Sequence, residues 1–227
     1  MYAKDIPKNI AKHISLKNND DATESAKKIL GAIHSIFAII AISPRDAGLE
    51  QKTPYIFETP IIGGDIKNQF DYVYKMLGNQ IRIGDVFEIG QTVDAAAITK
   101  GKGWQSVITR YGTKRKQHKS RKTVREIGSL GPISPQYVMY TVPRAGQMGF
   151  HQRIEYNKRI LAIDNSNGES SKINPMGGYK HFGLVKGDYI ILKGSVPGTY
   201  RRMIKLRSQI RSAPSVVQKP NILEIVV

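Results

Sequence analysis

No cysteine occurs anywhere in the 227 residues, which removes disulfides, thiolate nucleophiles and cysteine-based metal knuckles at once. That absence fits a reducing, cytoplasmic setting. Long apolar runs are equally scarce. The longest, residues 29–42, is interrupted by His34 and Ser35 and is too short to cross a bilayer. It lacks the position and flanks of a signal peptide, so it reads as buried core and no membrane partner is expected. The phosphate-cradling pattern G-x-x-x-x-G-K-[ST] and the zinc pattern H-E-x-x-H are missing too. Asp94, Glu155 and Asp188 have no ligand-like spacing, so no metal, cofactor or catalytic residue is expected.

Acidic residues are missing where basic ones crowd. Residues 1–99 carry 11 basic and 12 acidic side chains, whereas residues 100–227 carry 24 basic and only 6 acidic. Between Lys100 and Arg125 there are ten Lys or Arg residues and no acid. A stretch of this kind repels itself unless a polyanion neutralises it, and phosphate is the commonest source of that charge. Lysine supplies point charge, while arginine also makes forked contacts or stacks on bases.

What is present divides into recognisable pieces. Asp21 or Thr23 suits the cap of a helix ending near Gly31. Residues 34–42 read as a strand closed by Ser43-Pro44, and residues 55–62 as another, closed by Gly63-Gly64. Ile66, Phe70, Val73 and Leu77 fall on one helical face, with Asp65 as its cap and Gly78-Asn79 as its exit. Gly84–Ile89 and Gly187–Leu192 both open on Gly-Asp and read as turn-plus-strand units of a small barrel. Residues 159–163, ended by a turn at 164–168, and residues 200–207 complete the strand set.

Between those pieces, residues 101–156 hold seven glycines and show neither helical nor strand periodicity. A loop that long inside a compact domain is anomalous, unless it is an extension ordered by a partner. Trp104, Tyr111, Tyr137, Tyr140, Phe150 and Tyr156 are interleaved with the cations and suit either local packing or stacking on unpaired bases. Trp104 also suits an anchor at a barrel rim. His118 would stack or hydrogen-bond in RNA; His151 and His181 read as structural or RNA-facing.

Collinear blocks then carry a resemblance. They are Thr99-Lys100-Gly101-Lys102-Gly103, His118-Lys119-Ser120-Arg121-Lys122, Gly128-Ser129-Leu130-Gly131-Pro132 and residues 141–149, Thr-Val-Pro-Arg-Ala-Gly-Gln-Met-Gly. His151-Gln152-Arg153, Glu155-Tyr156-Asn157-Lys158-Arg159 and residues 192–198 follow. In these the chain resembles the family of the third protein of the large ribosomal subunit, archaeal and eukaryotic type.

The resemblance implies a mainly β fold with an α/β insertion: a translation-protein-type β-barrel with a long irregular rRNA-binding extension. It divides the chain into a tail (1–20), an α/β insertion (21–80), barrel strands (81–104 and 157–210), the basic extension (105–156) and a C-terminal tail (211–227). It implies a ribosomal constituent that supports subunit assembly and the surroundings of the peptidyl transferase centre. Its implied partners are large-subunit rRNA and neighbouring proteins, including the fourteenth of that subunit.

The rRNA-binding set is Lys100, Lys102, Arg110, Lys114, Arg115, Lys116, His118, Lys119, Arg121, Lys122, Arg125, Arg144, His151, Arg153, Lys158 and Arg159. The extension tip is Gly128, Gly131, Pro132, Ile133 and Pro135, with Ile133 where the family usually has tryptophan. The family's first barrel strands have no counterpart here, which implies a truncated product or a separate chain supplying them. From the residues alone, an RNA-modifying enzyme and a non-ribosomal nucleic-acid module stay open as alternatives.

Overall fold

The computed structural model describes residues 6–13, 22–165, 173–211 and 219–223. It is mainly β, with few helices. Two compact units are present: one comprises Met1–Gln91, Arg159–Lys193 and Ser215–Val227, the other Thr92–Lys158 and Gly194–Pro214. The expected cap at Asp21, most of the turn at 164–168 and most of both tails lie outside the described residues.

In the first unit, helix α1 (Lys8–Ala11) and helix α2 (Ala22–Ile29) precede strand β1 (Phe37–Ile42), which pairs antiparallel with β2 (Tyr55–Pro60). The pairing sets Phe37 opposite Pro60 and Ile42 opposite Tyr55. The expectation that residues 29–42 form buried core is corrected here: Phe37 and Ile39 are each 55% exposed. Side chains alternate between the two faces of β1; Ala38 and Ile40 on one face are half-buried, and Phe37 and Ile39 on the other are exposed.

Helix α3 (Ile66–Met76) follows the four-three-four spacing, with Phe70 buried and Ile66, Val73 and Leu77 half-buried. Asp65 occupies the cap position but makes no side-chain capping bond. Gly78 takes a positive φ of 86°, and Asn79 Nδ2 donates to Lys75 O at 2.9 Å, which answers one orphan carbonyl of the last turn.

Gly84–Ile89 is not a strand. Residues Ile83–Asp85 form a 3-10 turn, because the Asp85 carboxylate accepts the Arg82 backbone N–H at 2.9 Å. The same Gly-Asp opening at Gly187 does lead into a strand, β7 (Asp188–Leu192), which pairs with β6 (Gln152–Asn165). Its Tyr189 hydroxyl donates to Asp164 Oδ2 at 3.4 Å; burial, and then that carboxylate's charge, raise the phenol's pKa. Strand β6 extends well beyond the expected 159–163. Ile160 on it is fully buried, and its N–H and carbonyl bond Gln91 O and Gly90 N at 2.8 and 2.9 Å.

The second unit is built on β3 (Thr92–Ile98), which lies between the first part of β6 and β8 (Ile204–Ser208). Val93, Ala95 and Ala97 are buried, the near-continuous burial of a central strand. Asp94 sits among them at 1% exposure. A buried carboxylate is costly unless paired, and this one is. Its Oδ1 accepts the Asn157 backbone N–H at 3.1 Å, and its Oδ2 accepts Arg207 Nε at 3.3 Å. Arg207 lies directly opposite Asp94 in the β3–β8 register. Its guanidinium and that of Arg211 cover the Tyr156 ring at 6.0 and 3.9 Å. Asn157 itself is held at φ 57°. One carboxylate therefore ties β3, β6 and β8 together where the chain returns from residues 105–156.

Substituting Arg207→Met strands that carboxylate, with an expected cost of about 2–3 kcal/mol in urea unfolding of the full chain. Asp94→Asn costs less, since its amide oxygen still accepts from Asn157. Equal stability of wild type and Arg207→Met would contradict the pairing.

Candidate nucleic-acid interface

From Thr99 the chain leaves β3 and runs alongside residues 146–151. Thr99 N and Lys102 N donate to His151 O and Met148 O at 3.0 and 2.9 Å, and Met148 N donates to Gly103 O at 2.9 Å. Strand β4 (Trp104–Gln105) continues the ladder against β5 (Gly146–Gln147). Its backbones come unusually close at Gly149: a Cβ there would lie 2.0 Å from Lys100 O, and φ is +72°. Only glycine fits both conditions. Trp104 is 76% exposed.

Helix α4 (Val107–Tyr111) follows directly and ends at Gly112, φ 69°. Val107 is its buried contact. Arg110 Nη1 donates to Arg144 O at 2.6 Å, and its guanidinium carbon lies 5.2 Å from the Tyr111 ring centroid. Ladder and helix together border an open cleft of about 460 Å³, lined by Thr99, Lys100, Lys102, Arg110, Tyr111, Gln147, Met148, Gly149, His151 and Arg153. No carboxylate lines it. Five of the sequence-nominated residues thus converge: Lys100, Lys102, Arg110, His151 and Arg153.

A second group is arranged differently. Lys114, Arg115, His118, Lys119, Arg121, Lys122 and Arg125 are exposed, and Lys116 is half-buried. They sit on a small irregular loop closed by Lys116 N to Val124 O at 3.2 Å, Ser120 N to Gln117 O at 2.9 Å and Thr123 N to Arg121 O at 2.8 Å. Arg125 donates to Ser106 Oγ at 3.0 Å. Among the described residues, none of the ten cations from Lys100 to Arg125 has a carboxylate within ion-pairing distance.

The tip residues Gly128, Gly131, Pro132, Ile133 and Pro135 belong to a run, residues 128–141, in which every residue is exposed. Ile133 is 91% exposed and Tyr140 97%. Apart from short turn contacts such as Val142 N to Met139 O at 3.1 Å, this run has no core of its own. Arg144 is exposed and joins Arg110 only through its carbonyl.

The remaining nominees stand apart. Lys158 pairs with Glu155 at 2.6 Å, so part of its charge is answered within the chain. Arg159 lies in the first unit, half-buried, its carbonyl accepting Lys193 N at 2.9 Å. Sequence reading missed Thr99, Gln147 and Met148 as cleft residues and missed Asp94 as the internal tie. The signal for Asp94 was there: one carboxylate inside Thr-Val-Asp-Ala-Ala-Ala-Ile. The three wall residues lie in the collinear blocks, but nothing local marks them as a wall, because a ladder between segments about fifty residues apart brings them in.

A family model described as Ribosomal protein L3 matches residues 3–226. The chain belongs to the ribosomal protein L3 family. It is similar to the large ribosomal subunit protein uL3 of Methanococcoides burtonii, 38% identical over 228 residues, covering 97% of this chain and 67% of that one. The corresponding protein of Methanocaldococcus jannaschii is 38% identical over 229 residues, 99% and 68% of the two chains. That of Methanopyrus kandleri is 42% identical over 198 residues, 86% of this chain but 54% of its own. The chain thus spans about two thirds of the first two relatives and about half of the third. The match is of archaeal type, and an L3 protein is a structural ribosomal protein rather than an enzyme.

The close approach at Gly149 has a testable cost. Gly149→Ala is expected to destabilise the full chain by more than about 2 kcal/mol. Gly103→Ala has a similar φ of +67° but open space around its Cβ, so about 1 kcal/mol is expected. Equal losses in chemical denaturation would contradict the ladder.

Proposed function

We propose that this structural constituent of the large ribosomal subunit binds large-subunit rRNA chiefly through phosphate neutralisation along residues 100–125. The ten cations without carboxylate partners among the described residues carry the reading. Charge left unanswered inside the chain is available for phosphates, and each contact releases condensed counterions. Side chains from Lys114 to Arg125, together with Arg144 and Arg153, track the backbone of folded RNA. Base reading is secondary, because the deep groove of an A-form duplex is closed to side chains.

In this proposal residues 105–156 are the extension, residues 81–104 and 157–210 belong to its barrel scaffold, and residues 21–80 form the α/β insertion. The tip around Gly128, Gly131, Pro132, Ile133 and Pro135 reaches toward the surroundings of the peptidyl transferase centre and supports subunit assembly. The fourteenth large-subunit protein is a neighbour, and the site of action is the cytoplasmic ribosome. Exposure of every residue from 128 to 141 supports this: apolar side chains such as Ile133 gain burial only from a partner. Ile133 offers neither an indole face nor an N–H, so the tip is held by shape rather than by stacking.

If about 6–10 phosphates are contacted, affinity for an rRNA fragment falls by about 10³–10⁵ between about 50 and 200 mM salt. A flat salt response contradicts the mechanism. Reversing charge at Lys114, Lys119 and Lys122 to glutamate is expected to block incorporation into large subunits. Sedimentation of the variant with mature subunits at the wild-type level would refute it.

A further inference from the structure

The cleft beside the ladder has a composition different from the exposed basic loop, and phosphate neutralisation alone does not account for it. Four permanent cations line it, Lys100, Lys102, Arg110 and Arg153, with His151 beside them. The same wall carries an aromatic ring, Tyr111, 55% exposed, and the thioether of Met148. Arg110 is fixed from two sides, by its bond to Arg144 O and by its place against Tyr111. A guanidinium has five N–H donors, and Arg110 spends few of them on this fixing. The rim is rigid because the Gly149 approach and the Thr99–His151 bonds hold it. Thr99 Oγ1 both donates to His151 O at 3.3 Å and accepts His151 N at 3.2 Å.

A volume of about 460 Å³ is far larger than one phosphate needs, lies in the range of pockets that hold small organic ligands, and is too small for a duplex. Cations together with an accessible ring match a group that is anionic at one end and flat at the other. We propose that this cleft takes a single unpaired nucleotide of the bound RNA, its phosphate against Lys100, Lys102 and Arg153 and its base against Tyr111. The inference rests on the RNA-binding reading and adds a structural preference to it. The chain selects RNA that bears an extruded nucleotide, whereas the loop at Lys114–Arg125 binds any phosphate backbone. Stacking of this kind tolerates any base, since each has a π-face. Tyr111 and Arg110 lie three and four residues before Lys114, so both modes engage one strand in succession.

The test uses the full chain and two RNA hairpins of equal length and charge, one fully paired and one with a single bulged 2-aminopurine. Wild type is expected to bind the bulged hairpin about tenfold more tightly and to change the 2-aminopurine fluorescence on binding. Tyr111→Ala is expected to lose the preference and the fluorescence change while keeping its salt dependence. Tyr111→Phe, which keeps the ring, is expected to retain both and controls for folding. Equal affinity of wild type for the two hairpins, with normal salt dependence, overturns the cleft assignment and leaves the RNA-binding reading standing. Retention of the preference by Tyr111→Ala overturns it as well. Failure to bind either hairpin at low salt overturns both readings.

Discussion

Like charges that stand close together without counter-charges repel, and the chain between Lys100 and Arg125 is organised around that cost. Ten cations occupy twenty-six positions with no acid among them, and no carboxylate of the described residues comes within ion-pairing range. Outside that stretch Lys158 is matched by Glu155, and the buried Asp94 by Arg207. What sets residues 100–125 apart is the density of cations with no acid interspersed, and that density calls for a partner. It also explains the irregular backbone from 112 to 145. With few buried apolar side chains there is little hydrophobic gain to offset the entropy of ordering, so order must come from neutralisation and contact with RNA.

The base of this segment is the opposite case. Both of its ends are tied down within the second unit, one by the Thr99–His151 ladder and the other by Asp94 reaching Asn157. A buried carboxylate that serves two strands is a demanding way to build a junction, since losing either partner exposes the full desolvation cost. What it provides is a fixed exit angle for a segment that has no rigidity of its own.

Much of this was legible in the residues. Helix α3 followed from the spacing of Ile66, Phe70, Val73 and Leu77, and the basic segment followed from charge alone. The errors have physical causes. Gly84–Ile89 looked like a strand, but the Asp85 carboxylate turned back to Arg82 N–H and made a helical turn. Strand β3 was hard to see because alanine has weak strand preference, and its burial comes from neighbours on both sides. Residues 29–42 looked like core because they are apolar, yet the face of β1 that carries Phe37 and Ile39 is exposed. The cleft was legible as a set of cations but not as a cavity. Its Thr99, Gln147 and Met148 walls meet only through long-range pairing, which no local pattern encodes.

The central claim is that residues 112–145 take their order from a surrounding polyanion rather than from contacts within the chain. Amide hydrogen exchange of the full chain, free and then assembled in large subunits, measures this directly. The account predicts rapid exchange of these amides in the free chain, slow exchange in the subunit, and protection of Val93–Ala97 in both. Strong protection of residues 112–145 in the free chain, in the absence of RNA, would contradict it.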